Sequence, residues 1–329
     1  MLGMVWPFRT IPSFPTCPAA GWKRVPWCHR GPGDKSVIAR SRRFILYFLL
    51  PPLLVLFAIT IYPFVFGIYN SFHNWVLYRP QAGRPFVGLD QYGRLFTDPN
   101  FWLALKNTLI YVSLSVLFSI LLGFVQALVV SRDEIRGKGI IRSILIIPLV
   151  VAPVVVGFAF RFMYNAELGV LPWLLEQIGI RIPRILGDPT WALYAVILVD
   201  IWNQTPLAFL VLLAAIQSIN PELYEVAAID GSSYWQSLWH ITVPLLRRAF
   251  LIVLLIRTID AFKAFDILYV MTEGGPGRAT EVLSIFGYRL AFVGWRMGMA
   301  SAFALILFYL IVGISTLYIR FIKEEESGA

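Results

Sequence analysis

Six stretches of the chain are mostly apolar for the ~20 residues that carry a helix across roughly 30 Å of hydrocarbon. They run over 44–72, 108–130, 140–160, 191–216, 249–269 and 297–319. The third to fifth are interrupted by Pro148, Pro153, Pro206 and several polar groups. The pattern predicts an all-α polytopic membrane protein with six transmembrane helices inside residues 44–322. Residues 1–43 hold six prolines and no helical period, which predicts a disordered tail or a start codon set too far upstream; 323–329 is a short tail. The first span is too long for a signal-peptide core and no small-residue cleavage site follows it, so it is read as retained.

Composition supports this reading. Apolar and aromatic types make up 58% of the 329 residues and charged ones 14%, against about 25% charged in an ordinary globular domain. A net charge of +9 would point to nucleic acid in a soluble protein, but here it follows from basic residues held on one side of a membrane. Arg9, Lys23, Arg24, Arg30, Lys35, Arg40, Arg42 and Arg43 precede the first span, and Arg132, Arg136, Lys138 and Arg142 crowd the second connection. Both termini are therefore predicted cytoplasmic, with the long connections 71–107 and 161–190 facing outward.

Enzymatic signatures are missing. Gly137-Lys138-Gly139 lacks the earlier glycine and the hydroxyl of a phosphate-binding loop. No nucleophile elbow occurs, and His29, His73 and His240 are too dispersed for a metal centre. Cys17, Cys28 and His29 have no second close pair to complete a zinc site. Catalysis, a cofactor and a metal are not expected in this chain.

The fourth connection, 221–244, is predicted cytoplasmic and reads as two short helices broken at Gly231. Asn220 can cap the first, with Pro221 at its first position and Glu222 in its first turn; Ser232 or Ser233 can cap the second, which Pro244 closes. Leu223, Ala227 and Val226 are placed on one face, and Tyr224 is expected exposed as an interface anchor. Within it, Glu225-Val226-Ala227-Ala228-Ile229-Asp230-Gly231-Ser232 followed by Ile241-Thr242-Val243-Pro244 resembles the EAA loop of permease subunits in binding-protein-dependent ABC importers. Val226, Ser232 and Val243 depart from that family's usual Ala, Ala and Leu. A second block, from Asp260 through Phe265-Asp266, Tyr269 and Thr272 to Gly274-Gly275-Pro276 and Thr280, resembles carbohydrate permeases of the maltose, trehalose and glycerol-phosphate type.

The resemblance implies a type I ABC importer permease fold in a bacterial or archaeal inner membrane. It implies a homologous second permease, two ATPase subunits that bind ATP and Mg, an extracytoplasmic solute-binding protein, a sugar substrate, and no nucleic acid. It assigns coupling to the ATPase to Glu222, Tyr224, Glu225, Ala227, Ala228, Asp230, Gly231 and Pro244. The rivals are a stand-alone ion-coupled secondary transporter and an ABC permease for a non-sugar solute.

Ionisable groups inside spans cost roughly 2.5–3.5 kcal/mol each at mid-bilayer and usually face a cavity or a partner. Arg257, Asp260, Lys263 and Asp266 follow one another at intervals of three in span five, which permits i,i+3 pairs along one helix. Span four carries Asp200, Trp202, Asn203, Gln204 and Thr205 before Pro206. Both sets are candidates for the solute pathway, by carboxamide bonds to sugar hydroxyls and stacking of Trp202 on a pyranose, or for bracing between helices.

Overall fold

A computed structural model describes residues 35–132, 137–179 and 184–327. The proline-rich segment up to residue 34, with Cys17, Cys28 and His29, lies outside the described residues, as does Arg136. The chain divides into two compact units, Met1–Tyr62 and Pro63–Ala329. In the first, helix α1 (Lys35–Ser71) begins, and its apolar side chains from Tyr47 onward, Leu53, Leu56 and Ile59 among them, all stand exposed. An unbroken exposed apolar surface of this kind needs lipid or protein around it.

The second unit contains α2 (Asp90–Thr97), α3 (Pro99–Ser131), α4 (Lys138–Val150), α5 (Pro153–Met163), α6 (Val170–Gln177) and α7 (Ala192–Gln217). These are followed by α8 (Glu222–Ile229), α9 (Tyr234–Leu245), α10 (Arg247–Lys263), α11 (Asp266–Thr272), α12 (Leu283–Val293) and α13 (Met297–Ser327). Among the described residues there is no β-strand, only an isolated bridge between His73 and Phe86.

The core is the pair α3 and α7. Asp98 caps α3 by accepting from the Asn100 amide at 2.9 Å, with Pro99 at the first helical position. Two-thirds of the apolar stretch of α7 is buried, 67% of it, as a helix apolar all round must be. The helices meet at Gly123, where an added Cβ would stand 2.7 Å from both the Ala208 Cβ and the Phe209 amide nitrogen. Small residues let helices in lipid approach to backbone contact. Gly123→Ala should therefore destabilise the protein by about 1–3 kcal/mol, read as a lower thermal midpoint of the purified chain in detergent.

Among the described residues four helices are long and apolar enough to cross a membrane, or up to six if two bent pairs each count as one span. The third predicted span is one such pair: α4 and α5 meet at 93°. Pro153 forces Ala152 into extended backbone (φ −58°, ψ 134°) and removes a helical donor, so the apolar run continues while the helix does not. Just before the fifth, α9 meets α10 at 61°. The predicted stretch 249–269 also breaks at Ala264, where extended backbone separates α10 from α11.

Candidate functional site: a capped loop, a buried ion pair and a tied turn

The 221–244 segment folds through local hydrogen bonds that its sequence specifies. The Asn220 Oδ1 accepts from the Glu222 amide at 3.2 Å, and Pro221 already has helical dihedrals. Helix α8 stops in a Schellman motif: the Ser232 amide donates to Ala227 O at 2.9 Å and the Gly231 amide to Ala228 O at 3.1 Å. This arrangement needs the left-handed backbone that Gly231 supplies at φ +78°. Ser233 then opens α9 in a capping box with Gln236, and a π-turn over Leu238–Thr242 leads into Pro244. The two caps turn the chain through short-range bonds.

Tyr224 corrects an expectation. It is not an exposed anchor; its hydroxyl lies 2.9 Å from the Thr242 hydroxyl and holds α8 against α9, half-buried. The exposed apolar side chains are Leu223 (45%), Val226 (57%) and Ile229 (85%), with Trp235 and Trp239 beyond the turn. Glu222, Glu225, Ala228, Asp230 and Gly231 share that exposure, Ala227 is half-buried, and Pro244 sits inside α9. Behind α8 a cavity of about 580 Å³ is lined by the ends of α3 and α7 with Tyr224, Ala228 and Thr242. The loop therefore stands at the pole where α3 and α7 terminate.

The ladder read along span five does not form as drawn. Arg257, 1% exposed, reaches Asp200 on α7, 5% exposed, with Nη2 3.0 Å from Oδ2. Two serines of α3 complete the network. Ser115 donates to the same carboxylate and accepts from Arg257 Nη2 at 3.0 Å; Ser119 accepts from Arg257 Nε at 3.3 Å. A charge this deep needs a partner and hydrogen bonds together, and here three helices supply them. Asp200 and Arg257 thus brace α3, α7 and α10 rather than stand on an open wall. Ser115 and Ser119 were missed, yet with Tyr111 they form an i, i+4, i+8 polar stripe in an apolar helix, which is a legible signal.

Asn203 is also buried, donating to Pro148 O at 2.7 Å; Gln204 donates to Asn203 Oδ1 at 3.0 Å and Thr205 to Ile201 O at 2.6 Å. The Asn203 bond satisfies a carbonyl one turn before the α4–α5 bend. Of the polar candidates, Trp202, Asp260, Lys263 and Asp266 remain exposed, and Lys263 pairs with Asp260 at 3.6 Å.

The opposite pole carries the 272–280 block as a tied turn. The hydroxyls of Thr272 and Thr280 are 2.7 Å apart, and Thr280 donates to Gly275 O at 2.8 Å. Asn107 on α3 donates to the carbonyls of Arg278 and Glu281, and Thr108 accepts from the Leu283 amide. Arg289 on α12 clamps the turn by donating to Glu273 O at 2.8 Å and to Glu281 Oε2 at 2.7 Å. Burial pushes the Glu281 carboxyl up, while the Arg289 and Arg278 guanidinia pull it down. This Glu281–Arg289 clamp was not anticipated, since the sequence shows no reason to pair residues of a loop and a helix over the rest.

Comparison with known proteins bears on both poles. A family model described as "Binding-protein-dependent transport system inner membrane component" matches residues 119–322, which include the capped loop and the tied turn. The chain is 35% identical over 272 residues to the trehalose/maltose transport system permease protein MalF of Thermococcus litoralis, covering 83% of this chain and 91% of that one. Among solved structures it superposes with a TM-score of 0.75 and 27% identity on a chain of a bacterial ABC transporter involved in the import of the acidic polysaccharide alginate, over 88% of this chain and 99% of that one. A second structure, of bacterial alginate ABC transporter in complex with alginate pentasaccharide-bound periplasmic protein, gives 0.72 and 27%, over 87% and 96%. With a family model matching more than half of its length and a relative this similar over most of it, the chain belongs to the binding-protein-dependent transport system inner membrane components, the permease subunits of ABC importers.

Proposed function

We propose that the chain is the permease subunit of an ATP-driven sugar importer, forming half of the translocation pathway with a homologous six-span partner. The observation that carries this is the Schellman-capped helix α8, which presents Leu223, Val226 and Ile229 outward at one pole of the core. An apolar patch flanked by Glu222, Glu225 and Asp230 is the composition of an interface, not of a solvated loop. On this reading the patch docks on one of two ATPase subunits that bind ATP and Mg, and the chain itself is no enzyme. It couples through Glu222, Tyr224, Glu225, Ala227, Ala228, Asp230, Gly231 and Pro244, with Tyr224 acting from within by fixing α8 on α9.

The same reading makes the 221–244 pole cytoplasmic, with both termini on that side of a bacterial or archaeal inner membrane and six spans over 44–322. The tails are 1–43 and 323–329. The tied-turn pole faces a solute-binding protein, as in the alginate transporter solved with its periplasmic protein. The sugar class is supported by the trehalose/maltose relative and by the alginate transporters. Trp202, Gln204, Asp260, Lys263 and Asp266 are the candidates left to contact it.

The test is ATP hydrolysis by the full complex in lipid vesicles with its binding protein and a panel of sugars and sugar phosphates. Stimulation by one sugar is the expected result. Solute uptake by the chain alone, driven by an ion gradient with no ATPase bound, would overturn the reading.

A further inference from the structure

Two segments far apart in the chain are zipped together at the tied-turn pole. The Leu77 amide donates to Trp295 O at 2.9 Å, and the Gly298 amide donates to Trp75 O at 3.0 Å. The crossing needs a glycine, since a Cβ at Gly298 would collide with the His73 carbonyl. Trp295 is held at φ +52°, a left-handed backbone that a bulky residue keeps only where its surroundings impose it. The result is a lip on which Tyr78, Arg79, Trp295 and Arg296 all stand exposed.

Two cavities open beside this lip, of about 770 and 340 Å³, and Tyr78, Asp98 and Arg296 line both. Their walls carry five arginines (Arg79, Arg94, Arg278, Arg289 and Arg296) against three carboxylates. Those carboxylates are already engaged. Glu281 is held by Arg289 at 2.7 Å and by Arg278 at 3.5 Å, and Glu273 by Arg161 at 3.3 Å. Asp98 Oδ1 accepts from the Asn100 amide at 2.9 Å and from its side chain at 2.8 Å. Arg94 is paired with Asp90 at 2.8 Å. Arg79 and Arg296 remain: among the described residues neither has a carboxylate within ion-pair distance, and the Arg79 guanidinium lies 5.5 Å from the Tyr78 ring centroid.

We propose that this lip docks an acidic loop of the solute-binding protein, with a carboxylate of that loop pairing with Arg79 and Arg296 while Tyr78 and Trp295 pack around it. The inference rests on the permease reading above and adds where that partner is held and by which charge. Arginine, tyrosine and tryptophan are the residues that carry most of the energy of protein interfaces. A guanidinium also matches a carboxylate with two parallel hydrogen bonds. A membrane surface is the other partner open to exposed arginines and aromatics at helix ends. Arg296, however, lines two concavities, which suit a projecting loop better than a flat row of headgroups.

The experiment uses the complete transporter in lipid nanodiscs, one set of neutral phosphatidylcholine and one containing phosphatidylglycerol. Binding of the purified solute-binding protein is measured over a series of salt concentrations for the wild type, Arg79→Gln, Arg296→Gln and Arg296→Lys. Size-exclusion chromatography reports assembly of each complex. The expected result is a Kd raised about tenfold by each glutamine in both lipids. The wild-type affinity falls with salt and the glutamine variants respond less, because the screened charge pair is gone. Arg296→Lys keeps the charge and therefore the salt dependence. Unchanged Kd and salt dependence in the glutamine variants would overturn the lip while leaving the permease reading in place. A loss seen only with phosphatidylglycerol would assign the lip to headgroups, and a variant that fails to assemble would place its arginine inside the transporter; either result overturns the proposal. A wild type that binds no solute-binding protein at all would overturn the permease reading as well.

Discussion

Gly231→Val should abolish solute-stimulated ATP hydrolysis while the complex still assembles. The reason is conformational, not steric, because no heavy atom lies within 4 Å of where a Cβ would stand. At φ +78° a β-branched residue pays roughly 1–2 kcal/mol to enter the left-handed region. It escapes by breaking the two Schellman bonds from Ser232 and Gly231. Helix α8 then loses its fixed exit, and Leu223, Val226 and Ile229 lose their common presentation. Since the loop is capped locally at both turns, the transmembrane core is untouched. Gly231→Asn separates the two explanations, because asparagine tolerates the left-handed region. It should keep most of the coupling, measured as ATPase stimulation in vesicles, and equal losses in both variants would refute the backbone argument.

Arg257→Met should produce the largest loss of stability of any single change considered. Removing one partner of a buried ion pair leaves the other uncompensated, at about 3–5 kcal/mol. Here Asp200 would keep Ser115 but no cation, and Ser119 would lose its donor. The double change Arg257→Met with Asp200→Leu removes both charges and should recover much of that loss, as apolar replacements of buried pairs often do. Thermal unfolding of the purified chain in detergent measures both. A single variant as stable as the wild type would mean that water reaches Asp200.

Short-range chemistry was the most legible part of this molecule. Asn220, Gly231 and Ser233 act on amides two to five positions away, so the caps of α8 and α9 follow from the residues themselves. The long apolar runs likewise mark α1, α3, α7 and α13. Hydropathy is blind to direction, however, so the 93° bend at Val151–Ala152 lies hidden inside a run that remains apolar, and the break at Ala264 inside one read as a single span despite its charges. Pro148 and Pro153 were the available warning. The polar seam failed for a different reason: Arg257 reaches past its i+3 neighbour to a carboxylate 57 positions away, a choice set by which helices pack together. Tyr224 turned inward because Thr242, on the other side of the turn at Gly231, meets its hydroxyl, a pairing set by how α8 and α9 fold together.

The Gly123 crossing has a mechanical consequence. Two helices in backbone contact cannot slide past one another without first separating, so α3 and α7 behave as one stiff beam. At about 1.5 Å per residue, the 33 residues of α3 make a lever arm of roughly 50 Å. One end borders the cavity behind α8, and near the other Asn107 grips the carbonyls of Arg278 and Glu281. On the coupling proposed above, a displacement at the α8 end is carried along this beam to the tied turn.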